Sequence, residues 1–251
     1  MKFINPKINI IHLKETDSTN TYAKNLAKDG YPEGTVVIAD RQTMGRGRLG
    51  RSFYSPVGSG IYMSIILKPE GNIQDTLLIT TAAAVAVSQT IEKITDKKTG
   101  IKWVNDVYVQ GKKVCGILCE GCFKKDSPAL EYAILGIGIN ISKPDIPFPD
   151  DIKNIAGYLL ENDDNNVKES ITEEVIKSFF EYYKNISEKP HLDIYRKKNI
   201  LLNKPVNIIR CDEIAGEGVC MGIDDNFNIL IQTGNEISEI SSGEVSVKER
   251  I

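Results

Sequence analysis

The sequence has few of the residues on which several common chemistries depend. Only two histidines occur among its 251 residues, and His12 and His191 stand far apart along the chain. A histidine-rich metal site or a Ser-His-Asp triad is therefore not expected, and catalysis should depend on other groups. The five cysteines are an odd number, which in a chain of this length is typical of reduced thiols in a cytoplasmic protein.

An excess of basic residues and a long hydrophobic run are also lacking. The chain has 31 Lys and Arg residues and 34 Asp and Glu residues, which give a net charge of −3. This charge argues against a protein whose main function is to bind nucleic acid. The most apolar stretch, Leu77 to Ser88, is shorter than the roughly 20 residues of a membrane span. Polar residues interrupt the N-terminus, which lacks the apolar core of a signal peptide. We expect neither a membrane segment nor an export signal.

Helical and strand patterns alternate over the first 198 residues. Apolar residues at helical spacing predict helices over 20–28, from Asp75 through Ile91, and over 167–187. The second of these is apolar nearly all round, so it should be well buried. Apolar and β-branched runs predict strands at 35–39, 61–67, 101–104, 107–109, 114–120 and 130–141.

The character of the sequence changes after Lys198. Short strand-like pieces separated by Asp, Asn and Gly lie at 205–210, 218–223, 228–232 and 244–248. This pattern is typical of a small β-barrel of about 50 residues. We therefore predict two domains, one over residues 1–198 and a second over residues 199–251.

Arginine is concentrated in one segment. Four of the seven arginines lie between Arg41 and Arg51, where the sequence Gly-Arg-Gly-Arg-Leu-Gly-Arg begins at Gly45. Glycine lets backbone approach a ligand closely, and arginine offers forked donors suited to carboxylate and phosphate oxygens. The segment 41–60, called the glycine–arginine loop below, is therefore a candidate anion site. The plainer alternative is a solvated surface loop.

The spacing Gly45-x-Gly47-x-x-Gly50 also matches the dinucleotide-binding fingerprint. That fingerprint requires a helix directly after the last glycine. The residues 52–58 that follow here, Ser-Phe-Tyr-Ser-Pro-Val-Gly, do not predict a helix. A protein kinase is disfavoured as well, because no HRD or DFG motif follows.

The loop and four further segments together resemble the biotin protein ligases, enzymes that attach biotin to a lysine of a carrier domain. The segments are Asp17-Ser-Thr-Asn20, Lys102-Trp-Val-Asn-Asp106, Gly116-Ile-Leu-Cys-Glu120 and Gly136-Ile-Gly-Ile-Asn140. The likeness runs from about residue 10 to the C-terminus. It implies an α+β catalytic domain, with a mixed sheet flanked by helices as in class II synthetases, followed by a small SH3-like β-barrel.

Some members of that family carry an N-terminal winged helix-turn-helix domain and also repress transcription. Here the catalytic pattern begins close to Met1. We therefore expect a form that lacks the DNA-binding domain and that does not bind specific DNA.

The resemblance implies a reaction in two steps. Biotin reacts with ATP, accompanied by Mg²⁺, to give biotinyl-5′-AMP and pyrophosphate, and a lysine of a biotin carboxyl carrier domain then displaces AMP. The acceptor would belong to a biotin-dependent carboxylase. The protein ligands of Mg²⁺ stay unknown at this point, and a homodimer is left open.

The resemblance also implies roles for individual residues. Lys102 and Arg48 would be catalytic, because an anion must be brought to a polyanion. The residues expected to bind biotin are Ser18, Thr19, Asn20, Gln42, Gly45, Arg46, Gly47, Arg48, Lys102 and Gly116. Those expected to bind ATP are Arg51, Phe53, Asn140 and Lys248.

Three positions depart from the usual pattern of the family. Val104 stands where a proline is usual, and Phe53 where a tryptophan is common, although Phe53 can still stack on adenine. Near the C-terminus Lys248 occupies the place of an arginine that reaches ATP. Lysine does not reproduce the forked contact of an arginine, so Lys248 could offer ATP only a single point of positive charge.

Three alternatives remain at this stage. A lipoate or octanoyl protein ligase shares the catalytic fold but usually lacks this glycine–arginine loop. A non-catalytic biotin or nucleotide sensor would not need Lys102. The pair Cys119-x-x-Cys122 could hold zinc or act in redox chemistry, although no second such pair is present to complete a tetrahedral site.

Overall fold

A computed structural model of the chain describes residues 6–70, 75–242 and 245–250. The helices are α1 (Thr19–Lys28), α2 (Asp75–Thr95), α3 (Asn165–Tyr183) and α4 (Leu192–Lys197). The strands of the first sheet are β1 (Asn9–Leu13), β2 (Thr35–Ala39), β3 (Gly60–Leu67), β4 (Thr99–Lys102), β5 (Asp106–Val109), β6 (Lys112–Phe123) and β7 (Leu130–Asn140). Those of the second are β8 (Pro205–Arg210), β9 (Glu213–Ile223), β10 (Ile229–Thr233), β11 (Glu236–Ile240) and β12 (Val245–Glu249).

The first sheet is mixed and has seven strands in the order β1-β2-β3-β7-β6-β5-β4. Strand β1 runs parallel to β2, and the other neighbouring pairs are antiparallel. Successive side chains point to opposite faces, so Val36 and Ile65 pack in the main core while Val37 and Ile66 pack in a second, smaller cluster. Both faces of the sheet are therefore covered.

Helix α2 packs on one face of this sheet, mainly against β6 and β4, and α3 packs on α2. Ile79, Ala83, Val87 and Ile91 of α2 are completely buried. By length and composition α2 could cross a membrane, but 67% of its apolar window is buried within the protein, as in the core helix of a folded domain. Helix α1 covers the opposite face, where Ala23 and Ala27 pack on β2, β3 and β7.

The second sheet is antiparallel, with the strand order β11-β10-β9-β8-β12. Its apolar side chains Val206, Cys220 and Ile229 belong to the same buried cluster as the core of the first sheet. At the junction, Nε1 of Trp103 donates to the carbonyl oxygen of Phe227 at 2.8 Å. The predicted α+β class, with a mixed sheet followed by a small β-domain, is confirmed.

The structure alters several predicted boundaries. Helix α3 ends at Tyr183 rather than at residue 187, and a short 3-10 turn follows at Ile186–Glu188. The strand predicted at 101–104 ends at Lys102, because residues 103–105 form a tight turn into β5. Strands β1 and β11 and helix α4 were not predicted. Glu244 of the strand predicted at 244–248 lies outside the described residues.

Candidate functional site

The polar ends of several elements meet around one cleft of about 490 Å³. Its walls come from the N-terminus of α1, the glycine–arginine loop, the β4–β5 turn, the middle of β6 and β7, the segment 148–156 and the second sheet. The residues predicted for the site that line it are Ser18, Thr19, Asn20, Gln42, Arg46, Gly47, Arg48, Arg51, Phe53, Lys102, Gly116, Asn140 and Lys248. Only Gly45 of the predicted set is not among the lining residues.

The N-terminus of α1 supplies a buried polar group to one end of the cleft. The backbone nitrogen and Oγ1 of Thr19 both donate to Oε1 of Gln42, at 2.8 and 3.0 Å. Nε2 of Gln42 in turn donates to Oγ of Ser55 at 2.9 Å. Ser18 stands at the N-cap without a capping hydrogen bond from its side chain. The N-terminus of α1 therefore presents neutral donors and acceptors to this end of the cleft.

The carboxamide of Asn20 lies directly on the bare backbone of β7. A Cβ atom at Gly136 would lie 2.2 Å from Oδ1 of Asn20, so only glycine leaves room for it. Oγ of Ser64 donates to that Oδ1 at 2.6 Å, and Nδ2 of Asn20 donates to Oε2 of Glu120 at 2.8 Å. Oε1 of Glu120 is 3.1 Å from Nη2 of Arg46. The glycine–arginine loop and α1 are thus joined through one carboxylate.

Within the loop the backbone folds back on itself. The nitrogen of Phe53 donates to the carbonyl oxygen of Gly45 at 2.8 Å, and that of Gly47 donates to the carbonyl oxygen of Arg51 at 2.7 Å. A Cβ atom at Gly45 would lie 2.3 Å from the carbonyl oxygen of Phe53. The fold of the loop itself therefore explains why residue 45 must be glycine.

The ring of Phe53 lies on the floor of the cleft. Cβ atoms at Gly138 and Gly116 would lie 2.5 and 3.2 Å from carbons of that ring. The ring also meets Tyr62 edge-on, with the centroids 6.4 Å apart. Two adjacent glycines on β7 and β6 therefore make room for this aromatic side chain.

Positive charge gathers at the opposite end of the cleft around Asp106. Nζ of Lys113 lies 2.6 Å from Oδ1 of Asp106. Burial lowers the pKa of Lys102; Asp106 opposes this shift, whereas Lys113, Lys248 and Arg51 add to it. Burial also lowers the pKa of Arg48. Several cations therefore gather around Asp106, and one of them, Arg51, also lies 3.4 Å from Oδ1 of Asp212. This excess of positive charge favours a polyanionic ligand.

Lys102 ends β4 and projects into this charged region. Within the described ranges its ammonium group makes neither a hydrogen bond nor an ion pair. A buried ammonium group without a partner is costly, so an anion bound beside it would be stabilised.

Asn140, at the end of β7, donates from Nδ2 to the carbonyl oxygen of Gly157 at 2.9 Å and so fixes the wall formed by segment 148–156.

Sequence reasoning missed four polar residues at or beside the cleft. Ser64 and Glu120 hold Asn20, and Asp106 and Lys113 form the central ion pair. Asp106 and Glu120 are the last residues of the motifs 102–106 and 116–120, and that position could have identified them as candidate site residues. Ser64 sits inside an apolar strand, and Lys113 lies between the strands predicted at 107–109 and 114–120, outside every motif.

A β-bulge brings Lys113 to the cleft. Tyr108 pairs with Lys113, whereas Val107 pairs with Cys115, so one residue of β6 has no opposite partner. Asp106 and Tyr108 share a face, and the bulge places Lys113 on that same face. Without the bulge Lys113 would point to the other side of the sheet.

The histidines and cysteines stand outside this cleft. His191 is buried beside Phe227, and the five cysteines are free thiols. Among the described residues, no group of three or more His, Cys, Asp or Glu side chains could hold a metal ion.

Two family models match the chain. The Biotin/lipoate A/B protein ligase family matches residues 13–140, and the Biotin protein ligase C terminal domain matches residues 201–248. A bifunctional ligase/repressor, BirA, of Bacillus subtilis is 34% identical over 242 residues, covering 95% of this chain and 74% of that protein. A biotin–[acetyl-CoA-carboxylase] ligase of Mycobacterium tuberculosis is 27% identical over 241 residues, covering 92% and 86%.

Solved structures agree with these relatives. The biotin protein ligase from Aquifex aeolicus in complex with biotin and ATP superposes with a TM-score of 0.80 at 34% identity, covering 96% of this chain and 99% of that one. A mutant of the same enzyme in complex with biotin gives the same TM-score, identity and coverage.

Proposed function

The chain belongs to the biotin/lipoate A/B protein ligase family and is an ATP-dependent biotin protein ligase, and from this premise we propose how its cleft divides the work. Biotin is activated as biotinyl-5′-AMP with release of pyrophosphate, and the acceptor lysine then attacks the mixed anhydride and AMP leaves. One observation carries the proposal: a neutral polar end at α1 and a cationic end around Asp106 open into the same cleft.

The neutral end fits the head of biotin, whose ureido ring offers two N–H donors and one carbonyl acceptor. Ser18, Thr19 and Asn20 supply hydroxyl and amide groups there, with Gln42 fixing Thr19. Burial makes each such hydrogen bond selective, because a ligand without the matching group leaves buried polar atoms unpaired. Gly45, Gly47 and Gly116 allow the backbone to approach the ligand, and Arg46 closes over it.

The cationic end fits the reacting groups. A carboxylate and a triphosphate repel each other, so Lys102 and Arg48 are assigned to hold the biotin carboxylate and the α-phosphate together. Arg51 and Lys248 face the remaining phosphates, and Phe53 and Asn140 contact the nucleotide. Mg²⁺ arrives with ATP as part of the substrate and is held largely through phosphate oxygens.

The domain division and the partners are also part of the proposal. We place the boundary between the catalytic domain, 1–198, and the β-domain, 199–251, in the linker after α4. The acceptor is the biotin carboxyl carrier domain of a biotin-dependent carboxylase. We propose that the protein does not bind specific DNA, which its net charge of −3 supports. We also propose a cytoplasmic location, which the free cysteines support.

The test is biotin-dependent exchange of pyrophosphate into ATP, with lipoate as the control acid. Wild-type protein should exchange with biotin and not with lipoate. Lys102→Ala should lower the exchange rate about a hundred- to a thousandfold, the scale of one lost transition-state contact. Lys93→Ala is the matched control, because Lys93 is exposed and pairs with Glu174 on α3. Exchange with lipoate would favour the lipoate ligase, and near-normal exchange by Lys102→Ala would overturn the assignment of Lys102.

A further inference from the structure

The carboxylate of Glu120 joins two parts of the biotin end that are far apart in sequence. It lies on β6, outside the lining of the cleft, and its side chain is only 25% exposed. One oxygen accepts from Nδ2 of Asn20 at 2.8 Å, and the other lies 3.1 Å from Nη2 of Arg46. A second nitrogen of Arg46, Nη1, is 3.5 Å from the oxygen shared with Asn20. The guanidinium therefore faces both oxygens.

The orientation of Asn20 depends on that carboxylate. Ser64 of β3 pairs in register with Gly136 of β7, and Gly136 pairs with Leu118 of β6. Asn20 lies on bare Gly136 with Ser64 on one side and Glu120, two residues beyond Leu118, on the other. Because a carboxylate only accepts, it fixes the NH₂ group of the amide on its own side. The carboxamide oxygen is then left for Ser64.

A second ion pair of the same loop offers a direct comparison. Nη1 of Arg41 lies 3.0 Å from Oε2 of Glu15, and both side chains are about half exposed, at 53% and 52%. Neither residue lines the cleft, and Glu15 has no hydrogen bond to the residues named for biotin within the described ranges. The two pairs share residue types and nearly the same separation, and they differ in whether the carboxylate also holds a ligand-binding residue.

We infer that Glu120 is a positioning residue for biotin, which fixes the amide orientation of Asn20 and at the same time fastens the glycine–arginine loop through Arg46. The inference rests on the proposed assignment of this end of the cleft to biotin. Glu120 does not reach the reacting groups at Lys102, so it acts on the binding of biotin and on retention of the adenylate. The rate of the chemical step with biotin saturating should be nearly independent of it.

The experiment compares Glu120→Gln, Glu120→Ala and the matched control Glu15→Gln in biotin-dependent pyrophosphate exchange. Glu120→Gln keeps an acceptor for Asn20 but loses the charge that faces Arg46, so KM for biotin should rise about two- to fivefold, the range of a partly exposed ion pair. Glu120→Ala loses both partners and should raise KM about tenfold or more. In both variants kcat should stay within about twofold, and Glu15→Gln should match the wild type.

A double-mutant cycle separates positioning from general destabilisation. If Glu120 acts on the loop through Arg46, Arg46→Gln combined with Glu120→Gln should raise KM no further than Arg46→Gln alone. Additive effects, or equal KM values for Glu120→Gln and Glu15→Gln, would overturn the inference. A fall in kcat at unchanged KM would overturn it as well. Wild-type exchange with biotin is the reference, and its absence would contradict the proposed function instead.

Discussion

Nη2 of Arg48 donates a hydrogen bond to the carbonyl oxygen of Ser242 at 2.5 Å, across 194 positions of the chain. Nη1 of the same side chain is 3.4 Å from Oδ1 of Asn105 in the β4–β5 turn. One arginine thus links the glycine–arginine loop to both the first sheet and the second domain. Removing it should loosen the wall that separates the adenylate from solvent.

We expect Arg48→Gly to release biotinyl-5′-AMP before it reaches the acceptor. The freed anhydride reacts with accessible amines, so lysines of unrelated proteins in the same solution should become biotinylated. Streptavidin blotting of an added bystander protein measures this leakage. Arg41→Gly is the control, since Arg41 belongs to the same loop but pairs with Glu15 away from the cleft. Labelling confined to the carrier, at normal adenylate production, would contradict the prediction.

A methyl group at residue 136 should disturb the site more than the fold. In Gly136→Ala the new Cβ would meet Oδ1 of Asn20 at 2.2 Å, so Asn20 must leave its place between Ser64 and Glu120. We expect biotin affinity, measured by titration calorimetry, to fall about tenfold or more, because the hydrogen bonds of Asn20 to Ser64 and Glu120 are both lost. Gly216→Ala, where the Cβ would make only an ordinary contact of 3.4 Å with Ile208, should keep wild-type affinity. Unchanged binding by Gly136→Ala would show that Asn20 does not contact biotin.

The buried histidine should make stability depend on pH. Burial lowers the pKa of His191 from 6.5 to about 4. Below pH 6.5 His191 is protonated in the unfolded chain but stays neutral in the folded chain. The stability of the folded state is therefore undiminished by His191 above pH 6.5 and declines as the pH falls towards 4. The decline amounts to roughly 3 kcal/mol for such a shift. The contacts at stake are Nε2 of His191 to Oγ1 of Thr81 at 2.9 Å and the stack on Phe227.

Urea unfolding at several pH values tests this prediction. His191→Gln can keep a hydrogen bond to Thr81 but does not titrate, so its stability should decline less between pH 6.5 and 4 than that of the wild type. His12→Gln is the control, because the His12 side chain is 60% exposed and pairs with Asp40 on the surface. Parallel acid profiles for His191→Gln and the wild type would refute the role of His191.

Trypsin should report closure of the glycine–arginine loop over the ligand. Arg46 and Arg51 are each 48% exposed at the side chain, so both are accessible cleavage sites. Free enzyme should be nicked there first, giving fragments of about 50 and 200 residues from the 251-residue chain. Ordering a flexible residue costs about 1–2 kcal/mol, which ligand contacts can offset.

Biotin should slow this cleavage, biotin with ATP should slow it most, and lipoate should give no protection. Electrophoresis of timed digests gives the rates, and cleavage after lysines elsewhere in the chain is the internal control. Equal nicking rates with and without biotin and ATP would show that the loop does not close over the ligand.

The sequence by itself determined most of the helices and strands, because each depends on a pattern of apolar and polar residues that are neighbours along the chain. The run 35–39 became β2 with the predicted bounds, and Asp75 begins α2 as expected. Elements with weak local patterns were missed. Strand β1 is a half-exposed edge strand, the sequence Glu-Ile-Ser-Glu-Ile of β11 is largely exposed, and α4 has only six residues. Their conformation comes from pairing and packing with distant parts of the chain.

The chemistry of the site was likewise readable as residue types, and resemblance named the residues that the structure brings to one cleft, apart from Gly45. The connections among them were decided only by the tertiary structure. A bulge in β6 turns Lys113 towards Asp106, and the register of β3, β7 and β6 sets Ser64, Gly136 and Glu120 around Asn20. Which face a side chain occupies changes with a shift of one residue in strand pairing, and that pairing is fixed by packing across the whole sheet rather than by local sequence.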